Sequence, residues 1–298
     1  MDTTTFIFVL IGIPYAAVIG GFMTPVGTAV NLVALSLYEQ ATGHTIRFLD
    51  WMLVGIPAVL ISIVICCRVL VKMYCGKGLA QVKLRQADAN DIVLDARDRR
   101  ILIIVAAMFV LWLASTWVPQ INNTIVAILA AGVFFLPGIR TLNMRQLEEN
   151  TSLDVLMMVG GVQVLALGLT TTEASSWLAA TCFGGIESMP KMVVYLMIAA
   201  FACVLHLFVP LGSAVSGIVT IPVMELAAIC GLNLPAAVMI SVFWSSVALI
   251  LPTDCTTMLA YKHGYFTMRD ISRSGVICTV LTLIASTAAV VLLAGVAF

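Results

Sequence analysis

Long apolar runs recur along the whole chain, and they limit what it can fold into. Residues 5–38, 51–73, 101–118, 124–139, 153–169, 190–228, 235–261 and 271–297 are apolar stretches with few charges. A helix needs about 20 residues to cross roughly 30 Å of hydrocarbon. In lipid, each backbone N–H and C=O must find its partner inside the protein, so runs of this kind are read as embedded helices. The runs 51–73 and 271–297 fit one helix each, and 124–139 is short enough to stand nearly upright. The run 5–38 exceeds one helix and is broken by Gly20, Gly21, Pro25 and Gly27. The run 190–228 is also too long for one crossing. Pro210 and Gly212 interrupt it, which predicts two short helices meeting at a turn, a re-entrant hairpin. Composition agrees, with 61% hydrophobic and 10% charged residues, where a soluble domain is about half apolar and about a quarter charged. The fold class is an all-α polytopic membrane protein, placed by this reading in an inner or plasma membrane with the lipid bilayer as its solvent.

Other function classes drop out at this level. The net charge of zero gives no reason to expect a nucleic-acid partner. The start MDTTTF lacks the basic region of a signal peptide. The eight cysteines show no CxxC or metal spacing and read as small buried hydrophobes. No nucleotide-binding loop or Ser/His/Asp arrangement is found, so no covalent chemistry and no enzyme is implied. His206 with Asp254 is the one remote pair that a membrane-embedded enzyme could use. His206 and Glu225 are otherwise read as structural, and Trp51, Trp112, Trp117 and Trp177 as interfacial anchors.

Basic residues set the orientation. Lys72, Lys77, Lys83, Arg85, Arg97, Arg99 and Arg100 cluster in one segment, which is expected in the cytoplasm. Its middle, 79–98, alternates polar and apolar residues and is expected on the membrane surface. Alternating crossings then put Arg140, Arg145, Lys262, Arg269 and Arg273 on the same side. Arg47, Lys191 and the C-terminus fall on the other, and the hairpin enters and leaves from outside.

The chain also matches itself weakly. TPVGTAVNLVALSLYEQATGHTIRFLDWMLVGI aligns with LPTDCTTMLAYKHGYFTMRDISRSGVI. Asn31 and Met258 each stand six residues after a proline, Thr45-Ile46-Arg47 corresponds to Thr267-Met268-Arg269, and Asp50 and Asp270 each precede a glycine (Gly55, Gly275) by five. The expected topology runs the two copies in opposite directions. That divides the chain into 1–73, the end of a first repeat (broken helix 5–38 and helix 51–73); 74–100, a cytoplasmic linker; and 101–298, a second repeat. Inverted repeats with broken helices point to a transporter site near the bilayer midplane.

Three interrupted segments could hold ions: residues 24–31, 212–217 and 252–257. Carbonyls freed by a break can bind Na⁺, and helix N-termini favour an anion. Asp254 is an ionisable group inside an apolar run, where a charge costs about 2.5 kcal/mol or more unless compensated. It reads as a cation ligand, as a proton carrier, or as the aqueous end of its helix.

These motifs resemble the divalent-anion/sodium symporter family, which carries dicarboxylates, citrate and sulfate. AAVIGGFMTPVGTAVNLV is similar to that family's first broken helix, whose loop reads TP-x-GT-x-x-N. LEENTSLDVLMMVGG and TEASSWLA resemble the segment before its second hairpin. HLFVPLGSAVSGIVTIPVM resembles the hairpin itself, and LILPTDCTTMLAYKHGYFTMRDISRSG the second broken helix. The resemblance implies an inverted repeat, an elevator-type movement, and symport of a small anion with Na⁺ or H⁺ as coupling ion and no other cofactor. It assigns Thr28, Ser213, Ala214, Ser216, Cys255 and Thr256 to the anion, and Gly27, Asn31, Gly212 and Asp254 to the cation. The family's hairpin tip reads Ser-Asn-Thr, whereas Gly212-Ser213-Ala214 stands here. Its second loop carries an Asn where this chain has Met258, with Asp254 as a new charge. The resemblance also implies helices and a first hairpin ahead of residue 1, supplied by a homodimer partner or a second chain. The alternatives are a Na⁺/H⁺ or other ion transporter of related fold, or an inactive fragment of an anion permease.

Overall fold

The computed structural model describes residues 3–75, 95–118, 121–136, 189–252, 255–262 and 266–298, with isolated positions between 139 and 186 and at Gly264. Most of the expected linker 74–100 and of the run 153–169 lies outside the described residues. Among those described, every regular element is helical.

The first apolar run forms α1 (Thr3–Gly20), a tighter turn at Gly21–Met23, and α2 (Ala29–Thr42). Gly43, in the left-handed region at φ +69°, closes α2 by donating its N–H to the Glu39 carbonyl at 2.8 Å. Next come α3 (Phe48–Leu70), a wide turn at Val71–Cys75, α4 (Ala96–Ala114) and α5 (Asn123–Val133). Asp95 and Asp98 form a capping box at the start of α4, and the Asn122 side chain accepts from Thr124 and Ile125 at the start of α5. Then follow α6 (Lys191–Phe208), α7 (Gly212–Ile229), α8 (Leu234–Ser246), α9 (Cys255–Lys262) and α10 (Met268–Ala297). Asn233 caps α8 through the Ala236 N–H at 3.0 Å, and Thr267 with Asp270 boxes the start of α10.

The chain divides into two compact units. The larger comprises Met1–Ile46, Asp50–Val82 and Met158–Phe298. Its centre is α8, which neighbours α1, α2, α6, α7 and α10. Residues 236–246 of α8 are buried on every side, as expected of a helix with no polar face. Its serines, Ser241, Ser245 and Ser246, return their hydroxyls to α8's own carbonyls. On the rim the pattern reverses. Leu53, Leu60 and Val64 of α3 and Val280, Ile284 and Leu292 of α10 are exposed, which suits faces turned to lipid rather than water. The smaller unit comprises Arg47–Leu49 and Lys83–Met157. In it Phe48 stacks on Trp112 at 5.6 Å, and the Trp112 indole donates to the Asn123 carbonyl at 3.0 Å.

The two arms of the 190–228 hairpin are helices of 18 residues each, long and apolar enough by length and composition to cross a membrane. The wide turn Val71–Cys75 extends α3 in the same way, so α3 with its turn, α6, α7 and α10 are the four described helices of that kind. One expectation is corrected: the tryptophans divide. Trp117 and Trp177 are 70% and 65% exposed, as anchors would be, but Trp51 is fully buried and Trp112 nearly so. Each of the buried pair has a carbonyl acceptor inside its own unit, which removes the reason for an indole to sit at the interface.

Candidate functional site

The first break begins where Pro25 removes an N–H and would clash, in a continuous helix, with the Gly21 carbonyl. The chain folds back tightly, with the Gly27 N–H donating to the Thr24 carbonyl at 3.1 Å. A Cβ on Gly27 would run into the Gly21 carbonyl, so only glycine fits. Asn31, fully buried in the first turn of α2, gathers the loop: its Nδ2 donates to the Gly21 carbonyl at 3.1 Å and the Thr24 carbonyl at 2.9 Å. Thr28 caps α2 by accepting from the Asn31 N–H at 3.3 Å. With both amide hydrogens used, Asn31 Oδ1 remains a buried acceptor that no described group satisfies. Such an atom carries a penalty of about 1–3 kcal/mol unless something binds it.

The second break occupies 247–252, after α8 ends at Ser246. It starts five residues before Pro252, ahead of the 252–257 segment that the sequence suggested. Proline alone does not decide such a break, since Pro14, Pro57 and Pro222 lie inside helices. Tertiary support does. The Tyr15 hydroxyl donates to the Leu249 carbonyl at 2.5 Å, with the Ile271 carbonyl 3.2 Å away as a second acceptor. Gly275 of α10 brings its backbone against Leu249 and Ile250, where a Cβ would lie 2.8 Å from the Ile250 Cα.

The first break is supported in the same register. The Trp51 indole donates to the Phe22 carbonyl at 2.9 Å, and a Cβ on Gly55 would lie 2.8 Å from that oxygen. Phe22 and Leu249 each stand three residues before a proline. The glycine that the sequence repeat pairs, Gly55 with Gly275, thus meets the corresponding carbonyl in each copy.

The hairpin tip lies beside the first break. A Cβ on Gly212 would be 2.5 Å from the Ser245 carbonyl and 3.1 Å from Val30 Cγ2. One turn on, Ser216 donates to the Val30 carbonyl at 3.3 Å. The structure therefore brings Gly212, Ser213 and Ser216 to the start of α2, with Thr28 and Asn31, and to the end of α8. Ser213 and Ser216 are buried, Ala214 and Thr28 are half-buried, and Gly27 is exposed. The first turns of α7 and α2 come side by side, and both present N–H groups and positive dipole ends. The third segment is placed differently. The main neighbour of α9, which starts at Cys255, is α1, and Thr256 is exposed. Asp254 lies outside the described residues.

Tyr15, Trp51 and Ser245 were not among the residues singled out from the sequence as site residues. Nothing local marked Tyr15, whose acceptor lies 234 residues away.

These features define a multi-pass, all-α integral membrane protein with two supported helix breaks and a hairpin tip against one of them. The family model for the sodium:sulfate symporter transmembrane region matches residues 4–297, and the chain belongs to that family. Its relatives include an uncharacterized transporter of Haemophilus influenzae, 28% identical over 81% of this chain and 55% of its own length. An uncharacterized transporter of Methanocaldococcus jannaschii is 23% identical over 71% of this chain and 47% of its own. The sodium-dependent dicarboxylate transporter SdcS of Staphylococcus aureus is 24% identical over 57% of this chain and 36% of its own. The chain thus spans about half or less of the length of these relatives.

Proposed function

We propose that this chain forms part of a sodium-coupled carrier of small divalent or trivalent anions, of the dicarboxylate, citrate or sulfate class. The observation that carries the reading is Asn31 Oδ1, a buried acceptor without a described partner in a break whose Nδ2 bonds already fix its direction. An oxygen in that state fits a dehydrated cation and does not fit an anion. The adjoining first turns of α2 and α7, with the hydroxyls of Thr28, Ser213 and Ser216, fit the anion. A cation at Asn31 would offset the repulsion between a multivalent anion and the neighbouring carbonyls, which supplies the coupling. Family membership and the sodium-dependent dicarboxylate transporter among the relatives support the class of ions. In this reading the hairpin and the breaks move together in an elevator-type step, and a homodimer partner or second chain completes the site.

The test is cation-dependent stabilisation of the purified protein. Na⁺ should raise the apparent Tm over K⁺ or choline at equal ionic strength, and succinate, citrate or sulfate should raise it further only with Na⁺ present. Asn31→Ala should lower the starting Tm and remove the Na⁺ shift. Thr28→Ala, which removes the cap and one of the hydroxyls offered to the anion, should lower the starting Tm and weaken the further anion shift, but keep the Na⁺ shift. A Na⁺ shift that survives Asn31→Ala would overturn the assignment of the cation.

A further inference from the structure

A cleft of about 640 Å³ opens between the end of α3, its wide turn, and the start of α10, and none of its lining residues belongs to either break. It is within the range of small-molecule sites, about 300–1,000 Å³. Three cations line it: Arg68, Lys72 and Arg273. The one carboxylate among the described residues of its wall, Asp270, is engaged by the Thr267 N–H at 2.8 Å and the Thr267 hydroxyl at 2.6 Å, in the cap of α10. The cleft therefore carries excess positive charge. Its remaining wall is apolar, from Val69, Ile277 and Leu281. Arg273, Ile277 and Leu281 are four residues apart on one stripe of α10, so Leu281 lies about 12 Å further along the helix than Arg273. Ile277 and Leu281 are exposed among the lipid-facing residues of α10. The Tyr74 hydroxyl donates to the Asp270 carbonyl at 2.7 Å and ties the two walls together.

We propose that this cleft binds one anionic phospholipid, its phosphate held by Arg68, Lys72 and Arg273 and an acyl chain along Val69, Ile277 and Leu281. Charge and depth select the ligand. A free anion would use the cations and leave the apolar wall idle. A zwitterionic lipid would use the wall but bring its own cation to a basic site. Basic pockets at helix ends beside the bilayer surface are suited to anionic headgroups.

The protein is purified from mixed vesicles of phosphatidylglycerol and phosphatidylcholine, and retained lipid is counted by native mass spectrometry. Phosphatidylglycerol should be enriched on the wild type. Arg68→Gln, Lys72→Gln and Arg273→Gln should each lower that retention about fivefold, and together on the order of a hundredfold. Ile277→Trp, which fills the groove and leaves the charges, should lower retention as well. Equal retention of the two lipids, or an unchanged triple variant, overturns the proposal. Displacement of the lipid by millimolar inorganic phosphate overturns it in favour of a free-anion site. Transport activity is not the readout, so failure here is separate from failure of the carrier assignment.

Discussion

Gly55 and Gly275 stand in the same relationship to the two helix breaks: each presses its Cα against the carbonyl three residues ahead of a proline, Phe22 in one case and Leu249 in the other. A methyl at either position meets backbone, which cannot rotate away. Gly275→Ala should be the worse of the two, because its Cβ would come closer to the Leu249 carbonyl oxygen than the 2.8 Å that a Cβ on Gly55 keeps from the Phe22 oxygen. Overpacking of this kind costs about 1–3 kcal/mol. Thermal unfolding in detergent should rank Gly275→Ala below Gly55→Ala and both below wild type. Gly295→Ala, in helix α10 with nothing within 4 Å of its Cβ, should hold or slightly raise the Tm. A wild-type Tm for Gly275→Ala would remove the close approach from the fold.

The carbonyls exposed by the breaks have different donors. Trp51 serves Phe22, while Tyr15 of α1 serves Leu249, because Ile271 occupies the place in the second copy that Trp51 holds in the first. Tyr15→Phe deletes one hydroxyl at almost constant volume and should destabilise the protein by about 0.5–1.5 kcal/mol. Trp51→Phe should cost more, since it also leaves a cavity where the fully buried indole packs against Phe22. Chemical denaturation of both variants checks the order. Equal stability of Tyr15→Phe and wild type would mean that the Leu249 carbonyl finds another donor.

Gly212 is the point where the hairpin tip touches α8 and α2 together. Gly212→Ala should push the tip off the Ser245 carbonyl and Val30. The protein should still insert, but Na⁺-linked anion binding should fall about tenfold or more, equivalent to about 1.4 kcal/mol of site distortion. Gly20→Ala, in open space at the end of α1, is the control. Titration of anion-induced stabilisation in Na⁺ distinguishes them, and equal affinities would detach the tip from the site.

Asp254, outside the described residues, stands two residues after Pro252, where the first copy has Gly27 after Pro25. A carboxylate in a dry setting stays ionised when a cation is bound and otherwise takes up a proton. Asp254→Asn should therefore alter coupling without loss of insertion. Uptake by the assembled transporter, measured against Na⁺ and against pH, separates the roles. Lost Na⁺ dependence marks a cation ligand, and lost pH dependence a proton carrier. Two unchanged curves would place Asp254 at an aqueous helix end.

The apolar runs alone called for helices in lipid, because they are long and continuous, whereas a closed barrel, the other arrangement that satisfies the backbone there, needs apolar and polar residues in alternation. Local chemistry also set many helix ends. The caps at Thr28, Asp95, Asn122, Asn233 and Thr267 act within three residues of sequence, so a reader of the sequence can find them. The spacing of Pro25 to Asn31 and the repeat register were legible for the same reason. Only the tertiary structure decided where α8 stops, why Trp51 is inside, and that α9 lies on α1 while the hairpin tip lies on α2. These depend on groups remote in sequence, such as Gly275 for Leu249, Phe22 for Trp51 and Val30 for Gly212. A freed carbonyl is tolerated only where a donor or a glycine backbone reaches it, and packing, not local sequence, fixes which one does.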